Sequence, residues 1–355
     1  MGRIQFLSAL KLRPIPGFKS YNNPIIHVTI RPLLQHSITP PLHFPISSLP
    51  RIVVIGSSNT DMVIKLDSIP RPGETLLGGE FLTAAGGKGA NQAVSAARSG
   101  GNVTFVARVG CDVFGDQAID GFRRDRINVD YITRDRQTLS GVALIFVGKG
   151  GENSIAVAGG ANTRLSRAHV RKAREAIAAS DAVLMQLETP LETVLEAARI
   201  AHRANVRVIL NPAPACRLSA ELLRLVSILT PNESEAEFLS GIRVRDQSSA
   251  ARAADRLLAR GLRTVIITLG ANGALVATRD SKQLLPGIRV KAVDCTAAGD
   301  VFNGALAVAI SEGKSLFDAV RFANAAAAIS VTRPGAQPSA PQRKEIDAFF
   351  KRVRA

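Results

Sequence analysis

From residue 165 onward the chain alternates short apolar runs with amphipathic stretches of helical period. Runs at 182–187, 206–210, 227–230 and 264–269 have the length and apolar density of buried strands. Stretches at 166–179, 191–204, 233–240 and 247–260 repeat apolar positions every three to four residues. This alternation predicts βαβ units, a parallel sheet and right-handed crossovers. Upstream, 51–55 and 103–109 read as further buried strands, with helices at about 87–97 and from the 110–115 turn to near Ile127. Two segments break the rhythm. Residues 62–85 are short β-like runs cut by Pro70, Pro72-Gly73 and Gly78-Gly79, and 141–157 are two apolar runs around a glycine turn at 148–151. Paired with each other, they predict one small sheet outside the main body. A short strand ending at Val293, a turn of small residues and an apolar helix opening near Gly299 complete the pattern.

Residues 1–50 stand apart, with eight prolines, five basic residues, no acidic residue and no sustained periodicity. They read as a disordered leader outside a domain at 51–355. The leader reads as sequence upstream of the true start; alternatively, a basic, acid-free segment is an organelle-targeting peptide, although its prolines oppose an amphipathic helix.

Composition narrows the chemistry. No stretch reaches the ~18 apolar residues of a membrane span, so the chain reads as soluble. Cys111, Cys216 and Cys295 are odd in number and widely spaced, which fits neither a disulfide framework nor a zinc site. A reducing, cytoplasmic setting follows. His27, His36 and His43 fall in the leader, and His169 and His202 lie in charged helical surroundings, so Ser-His or Cys-His catalysis has little to work with. Carboxylate chemistry is left. The formal net charge is +16, scattered over amphipathic helices without interleaved aromatics. That is a surface suited to anionic substrates rather than a nucleic-acid face. Neither a nucleic-acid nor a membrane partner is expected.

Polar residues stand just past the strand ends, where open parallel sheets bind ligands. They are Asn59 and Asp61, then Glu188, Asn211, and Asn232 with Glu235; Gly270 and Gly273 follow the 264–269 strand and leave room for a flat ring. At Gly86-Gly87-Lys88-Gly89-Ala90-Asn91, glycines open a helix whose Lys88 and Asn91 offer donors. The spacing is not that of a P-loop, because no Gly stands five residues before Gly87 and no Ser or Thr follows Lys88. Asp300 falls in the first turn of the last apolar helix, where free N–H groups suit a phosphoryl group and a carboxylate serves as a base. Each of these residues alone is equally a cap or turn former. Together they read as a crevice.

Four stretches and their spacing resemble the PfkB-type carbohydrate kinase family, and within it the ribokinase branch. They are Gly87-Lys88-Gly89-Ala90-Asn91-Gln92-Ala93, Leu210-Asn211-Pro212-Ala213-Pro214-Ala215, Thr230-Pro231-Asn232-Glu233-Ser234-Glu235-Ala236-Glu237, and the stretch from Asp294 to Gly304 with Ala323 to Ser339 behind it. The likeness runs from Arg51 to the C-terminus and leaves the leader out. It implies a three-layer, Rossmann-like α/β core with a mainly parallel sheet. It also implies a small β-sheet lid, from about 61–86 and 141–158, that closes over sugar and pairs with its twin in a homodimer. The implied activity is transfer of the ATP γ-phosphoryl group to the 5-hydroxyl of D-ribose, with Mg²⁺ accompanying ATP and K⁺ as a monovalent activator. Deoxyribose, fructose or a nucleoside as acceptor, or a silent regulatory member of the family, are the alternatives.

By position, the resemblance assigns Asn59, Asp61, Gly87, Lys88, Asn91 and Glu188 to the sugar hydroxyls, with Asp300 as base. It assigns Asn232, the segment Thr268, Leu269, Gly270, Ala271, Asn272 and Gly273, and also Gly299 and Asn324, to ATP. Glu235 would organise Mg²⁺ and phosphates through water. Asp294, Thr296, Ser330, Arg333, Gly335 and Ser339 match the loops around the monovalent cation, mostly through backbone oxygens; Arg333 would serve only through its carbonyl. Ala297 stands where the broad family has Gly, Cys295 where Thr is usual, and Asn324 where some close relatives have His. Because ribokinases often carry Ala at the first of these, the turn is expected to need no positive φ.

Overall fold

The computed structural model describes residues 49–354; the leader expected at 1–50 lies almost wholly outside them. Within the described residues the strands are β1 Arg51–Ile55, β2 Asn59–Leu66, β3 Glu80–Gly86, β4 Asn102–Gly110, β5 Ile132–Asp135, β6 Gly141–Gly148, β7 Asn153–Ala158, β8 Ala182–Met185, β9 Arg207–Leu210, β10 Ile228–Leu229, β11 Thr264–Thr268, β12 Ala274–Thr278 and β13 Lys282–Leu285. The helices are α1 Lys88–Arg98, α2 Val113–Arg124, α3 Arg167–Lys172, α4 Arg174–Ala178, α5 Leu191–Arg203, α6 Ala220–Leu225, α7 Glu233–Ser240, α8 Gln247–Leu258, α9 Ala298–Ser311, α10 Leu316–Ser330 and α11 Arg343–Arg354.

Nine strands make one sheet in the order β13-β12-β11-β10-β9-β8-β1-β4-β5. It is parallel from β5 to β11 and ends in an antiparallel hairpin, β12 with β13. β1 shows why its sequence is continuously apolar. Ile52 and Val54 belong to the apolar core that includes Val94 of α1 and Leu306 of α9, while Val53 and Ile55 belong to the core on the opposite face, with Val170 and Val194. Burial on both faces leaves no position for a polar residue. Small residues let α1 and α9 pack closely: a Cβ on Gly304 would lie 2.6 Å from Ser95 Cβ.

The other four strands form the expected small sheet, in the order β3-β2-β6-β7. Its outer pairs are antiparallel, but β2 and β6 pair in parallel. Register places Asn59 opposite both Gly86 and Gly141, and Val142 opposite Ala158. All four strands therefore meet the main body along one row, where the sequence is rich in glycine.

Several elements differ from the sequence reading. β2 already includes Asn59 and Asp61, so the polar turn after β1 shrinks to Gly56, Ser57 and Ser58. β5 escapes the pattern because it is a four-residue edge strand carrying Arg134 and Asp135. The helix expected at 166–179 splits at Ala173, where the ladder tightens to a bond from Ala173 N–H to Val170 C=O at 3.0 Å. The strand expected to end at Val293 is absent. Val293 is 64% exposed, and its N–H donates to Val331 C=O at 2.7 Å as the chain crosses to α9.

Candidate active site

The carboxyl ends of β1, β8, β9 and β10 converge on the first turns of α1 and α9. α1 reaches this point because Gly89 allows it: a Cβ there would lie 2.5 to 2.7 Å from the backbone of Gly56 and Ser57. Gly87, at φ 89°, lets the preceding turn pass beside Asn59 N, which a Cβ would approach to 2.7 Å. The first backbone N–H groups of this helix are occupied. The N–H groups of Lys88, Gly89 and Ala90 donate to Glu188 Oε2 at 3.0 Å, Ser57 Oγ at 3.3 Å and Ser57 C=O at 2.8 Å. What α1 offers is its side chains.

Asp300, 6% exposed, sits in the first turn of α9. Its Oδ2 accepts from Asn91 Nδ2 at 3.0 Å and its Oδ1 from Gln92 Nε2 at 2.9 Å. Burial pushes its pKa up; the Lys88 charge and the two amide bonds work against that, and Glu188 adds to it. Asn91 Oδ1 is buried and has no partner among the described residues, an acceptor waiting for a hydroxyl.

Ala297, which precedes α9, adopts φ 58° and ψ 12°. The expectation that Ala here needs no positive φ is thus overturned, at a conformational cost of about 1–2 kcal/mol. The turn folds Ala298 N–H onto Cys295 C=O at 3.3 Å. Gly299 is exposed, and a Cβ on it would meet nothing within 4 Å, so its side of the first turn is open. The free donors are therefore the next N–H groups along, those of Gly299 and Asp300.

Asp61 faces this centre from β2, its carboxylate lying over Gly86, where a Cβ would come within 2.2 Å of Oδ2. Burial, with the charges of Glu188 and Asp300, pushes its pKa up to about 6, while Lys88 pulls it down. Lys88 is itself held above its ordinary value: burial disfavours its charge, but the fields of Asp300, Glu188, Glu235 and Asp61 outweigh that. One cation thus stands among four carboxylates. Glu188 Oε2 also accepts from Ser57 Oγ at 2.5 Å. Asn59 Oδ1 accepts from Asn162 Nδ2 at 2.7 Å, and Asn162 is further pinned to both backbone groups of Ser58.

The residues matched to ATP line the next strand exits. Thr268 N–H bonds Pro231 C=O at 2.9 Å, joining the ends of β10 and β11. Beyond it, Gly270–Asn272 makes one 3₁₀ turn that stacks on Gly287, where a Cβ would lie 2.3 Å from Ala271 C=O. Asn324 Nδ2 makes a long 3.5 Å contact to Pro286 C=O, beside Gly287. Asn232 and Glu235 form a reciprocal capping box on α7, with bonds of 2.8 to 3.0 Å. Both are thus structural caps, although Glu235 also feels Lys88 and Asp300, and burial pushes its pKa up.

The loops matched to a monovalent cation do come together. Asp294 accepts from Thr296 N–H and from Gly335 N–H, each at 2.8 Å, and Asp294 N–H bonds Val331 C=O at 3.2 Å. The hydroxyls of Ser330 and Ser339 donate to nearby carbonyls, Ala327 and Ala336. Arg333 turns its guanidinium to Glu345 at 2.5 Å, which keeps its charge out of the loop.

Sequence reasoning gave no role to Gln92, Gln186, Asn162 or Asn303, and it left Asn211 as one polar residue among several. Gln92 Nε2 also donates to Asn211 Oδ1 at 3.0 Å, and Gln186 Nε2 donates to Gln92 Oε1 at 2.5 Å. Arg98, at the far end of α1, holds the carbonyls of Gln337 and Ala340 and pairs bidentately with Asp125. It therefore ties α1 to the turn that carries Ser339.

Comparison with known proteins bears on this arrangement. Residues 49–343 match the model of the pfkB family carbohydrate kinases. A ribokinase of Haemophilus influenzae is 48% identical over 300 residues, covering 84% of this chain and 98% of that protein. Among solved structures, a ribokinase from Thermotoga maritima superposes with a TM-score of 0.79 at 43% identity, covering 86% of this chain and all of that one. The Arabidopsis thaliana ribokinase complexed with ribose and ATP superposes with a TM-score of 0.80 at 32% identity, covering 86% and 99%.

Proposed function

Since the chain belongs to the pfkB family of carbohydrate kinases, we infer that its reaction is ATP-dependent phosphorylation of D-ribose at the 5-hydroxyl, giving ribose 5-phosphate and ADP. The observation that carries the mechanism is Asp300, buried in a helix's first turn beside an open Gly299 and held by two side-chain amides. Asp300 removes the proton from the attacking hydroxyl. Lys88, with the side-chain NH₂ groups of Asn91 and Gln92, keeps Asp300 ionised until then, and the backbone N–H groups of Gly299 and Asp300 face the charge on the transferring phosphoryl group. Asn59, Asp61, Asn91 and Glu188 hold the sugar, each with at least one polar atom that no bond above occupies. Asn232, the 268–273 turn and Asn324 border the nucleotide.

A divalent metal accompanying the nucleotide fits these residues. Among the described residues no cluster of three His, Cys, Asp or Glu side chains could hold an ion directly. The ATP phosphates would hold it, with Glu235 reaching it through water, and when bound it neutralises phosphate charge. For K⁺, the support is the clipping of residues 293–296 onto 331–335, with Arg333 turned away.

The small sheet acts as a lid and a dimer surface. Register puts Asn59 and Asp61 on one face and Ile64, Phe81, Leu144 and Phe146 on the other, where Phe81 is 63% and Leu144 47% exposed. A second copy of the chain is the partner that such a self-complementary apolar face suits. Sedimentation of the 37.6 kDa chain at micromolar concentration should give twice that mass; a monomer would remove the dimer from this reading. No helix among the described residues is long and apolar enough to cross a membrane. All three cysteines are free, which suits the cytoplasm.

The direct test is ADP release by the full chain with ATP, Mg²⁺ and K⁺. Ribose should outpace deoxyribose, fructose and adenosine, and omission of K⁺ should slow turnover; equal rates on all four acceptors would overturn the ribose assignment. A second test uses pH. Asp61 accepts most strongly from a sugar hydroxyl when ionised, and its pKa is raised to about 6. Ribose affinity, measured by calorimetry without ATP, should be constant above neutrality and weaken below pH about 6, by up to roughly tenfold per unit. Affinity that stays flat down to pH 5 would exclude Asp61 as that acceptor.

A further inference from the structure

We propose that Gln92 is a positioning residue for phosphoryl transfer, holding Asp300 ionised and aimed through a closed ring of buried side-chain hydrogen bonds. The inference rests on the reading of Asp300 as the base.

The ring can be traced bond by bond. Asp300 Oδ1 accepts from Gln92 Nε2, whose second hydrogen goes to Asn211 Oδ1. Asn211 Nδ2 donates to Thr230 C=O at 3.0 Å, and Thr230 Oγ donates to Asn303 Oδ1 at 2.6 Å. Asn303 Nδ2 then donates to Gly299 C=O at 2.8 Å, returning to the peptide that precedes Asp300. Both the side chain and the backbone of the base are thereby tied to the exits of β9 and β10. Gln92, Thr230 and Asn303 are each no more than 1% exposed.

The polarity of the amides carries the functional reading. An ionised carboxylate can only accept, so Gln92 must turn its NH₂ to Asp300 and its carbonyl to Gln186. Gln186 must then present its own NH₂, which strands its Oε1. That atom is indeed buried without a partner among the described residues, in a recess where a Cβ on Gly56 would lie 2.1 Å away. Reversing Gln92 would set its Oε1 against the oxygens of both Asp300 and Asn211. Within the Gln186–Gln92 string the unsatisfied acceptor thus lies at the end remote from the base, and the string as a whole favours a charged Asp300.

Other charges face Asp300 and must be held constant in any test: Lys88 from α1, Glu188 from the exit of β8, Asp61 from β2 and Glu235 from α7. Only Lys88 among them favours ionisation, so losing a charge-directed amide donor should leave Asp300 harder to ionise.

The test is the pH dependence of kcat for the full chain at saturating ribose and ATP, with Gln92→Leu and Gln186→Leu. Gln92→Leu should move the acid limb upward by about one to two pH units, so that kcat falls most on the acid side of the profile, with KM for ATP unchanged. Gln186→Leu leaves the bond to Asp300 but frees Gln92, so its shift should be smaller and in the same direction. It carries the test alone if Gln92→Leu does not fold. A merely structural Gln92 would lower the melting temperature and scale kcat evenly across pH; an unshifted limb in the folded variants overturns the proposal. Asp300→Asn separates the two readings. If it retains turnover, the base assignment has failed; if it is inactive while the acid limb of the glutamine variants stays put, only the role of Gln92 has failed.

Discussion

Asp300→Asn should lower kcat by about 10²- to 10⁴-fold, the usual contribution of a positioned base, while leaving ATP binding intact. The geometry makes the expectation specific. Asp300 accepts from two amide NH₂ groups, Asn91 on Oδ2 and Gln92 on Oδ1. An asparagine amide has one acceptor oxygen, so one of these donors would face an NH₂ and has to turn away. Stability should change little or rise, because the substitution removes a buried charge whose ionisation is resisted by burial and by Glu188. Calorimetric titration with ATP and a thermal melt would check both statements. A variant within threefold of the wild-type kcat would exclude Asp300 as the base.

Gly89→Ala should damage both stability and turnover. The added Cβ would meet three contiguous backbone atoms, Ser57 N at 2.5 Å and Gly56 C and Cα at 2.6 and 2.7 Å, none of which is a flexible side-chain end. Overpacking of this kind costs about 1–3 kcal/mol, visible as a lower denaturation midpoint. The larger effect should be on turnover. Pushing α1 off the end of β1 shifts Lys88, Asn91 and Gln92 together relative to Asp300, and a displacement of about 1 Å can cost about 10²-fold. Gly121→Ala in α2 is the control, since its Cβ would meet only the Arg124 guanidinium at 3.6 Å. Equal melting curves and equal kcat/KM for the two variants would show that α1 is free to shift without consequence.

Much of the architecture was legible because burial on both faces of a parallel strand leaves an unmistakable apolar run. β1, β8, β9 and β11 were readable for that reason, and the strand exits told where a ligand would sit. The small sheet was readable from its turns, but not its parallel β2–β6 pairing, which is a matter of register between residues far apart. β12 and β13 were missed because only Gly270 and Gly273 drew notice after β11. The helical opening at Asp300 was visible, but Ala297 in left-handed conformation was not, because alanine carries no signature of that state.

The site itself was half legible. Carboxylates and a lysine at strand and helix ends announce themselves, whereas an amide becomes functional only through its partner. Gln92 lies 208 residues from Asp300 and 94 from Gln186, and nothing local in the sequence records either contact. At α1 the glycines and the Lys88 and Asn91 donors were visible, but not that Glu188 and Ser57 occupy the first N–H groups, because those partners also lie far away in the chain.

The single row along which β2, β3, β6 and β7 meet the main body gives the small sheet the mechanics of a lever. At the rise of an extended strand, Asp61 sits roughly 7 Å beyond that row and Leu66 roughly 23 Å beyond it. A swing of about 10° would carry Asp61 only about 1 Å but the rim near Leu66 about 4 Å. If the small sheet is the lid and Asp61 holds sugar, as proposed, the carboxylate beside the fulcrum keeps its grip while the far rim admits or expels solvent. Stiffening the rim should then alter how fast sugar and product pass, with little effect on how tightly the sugar is held.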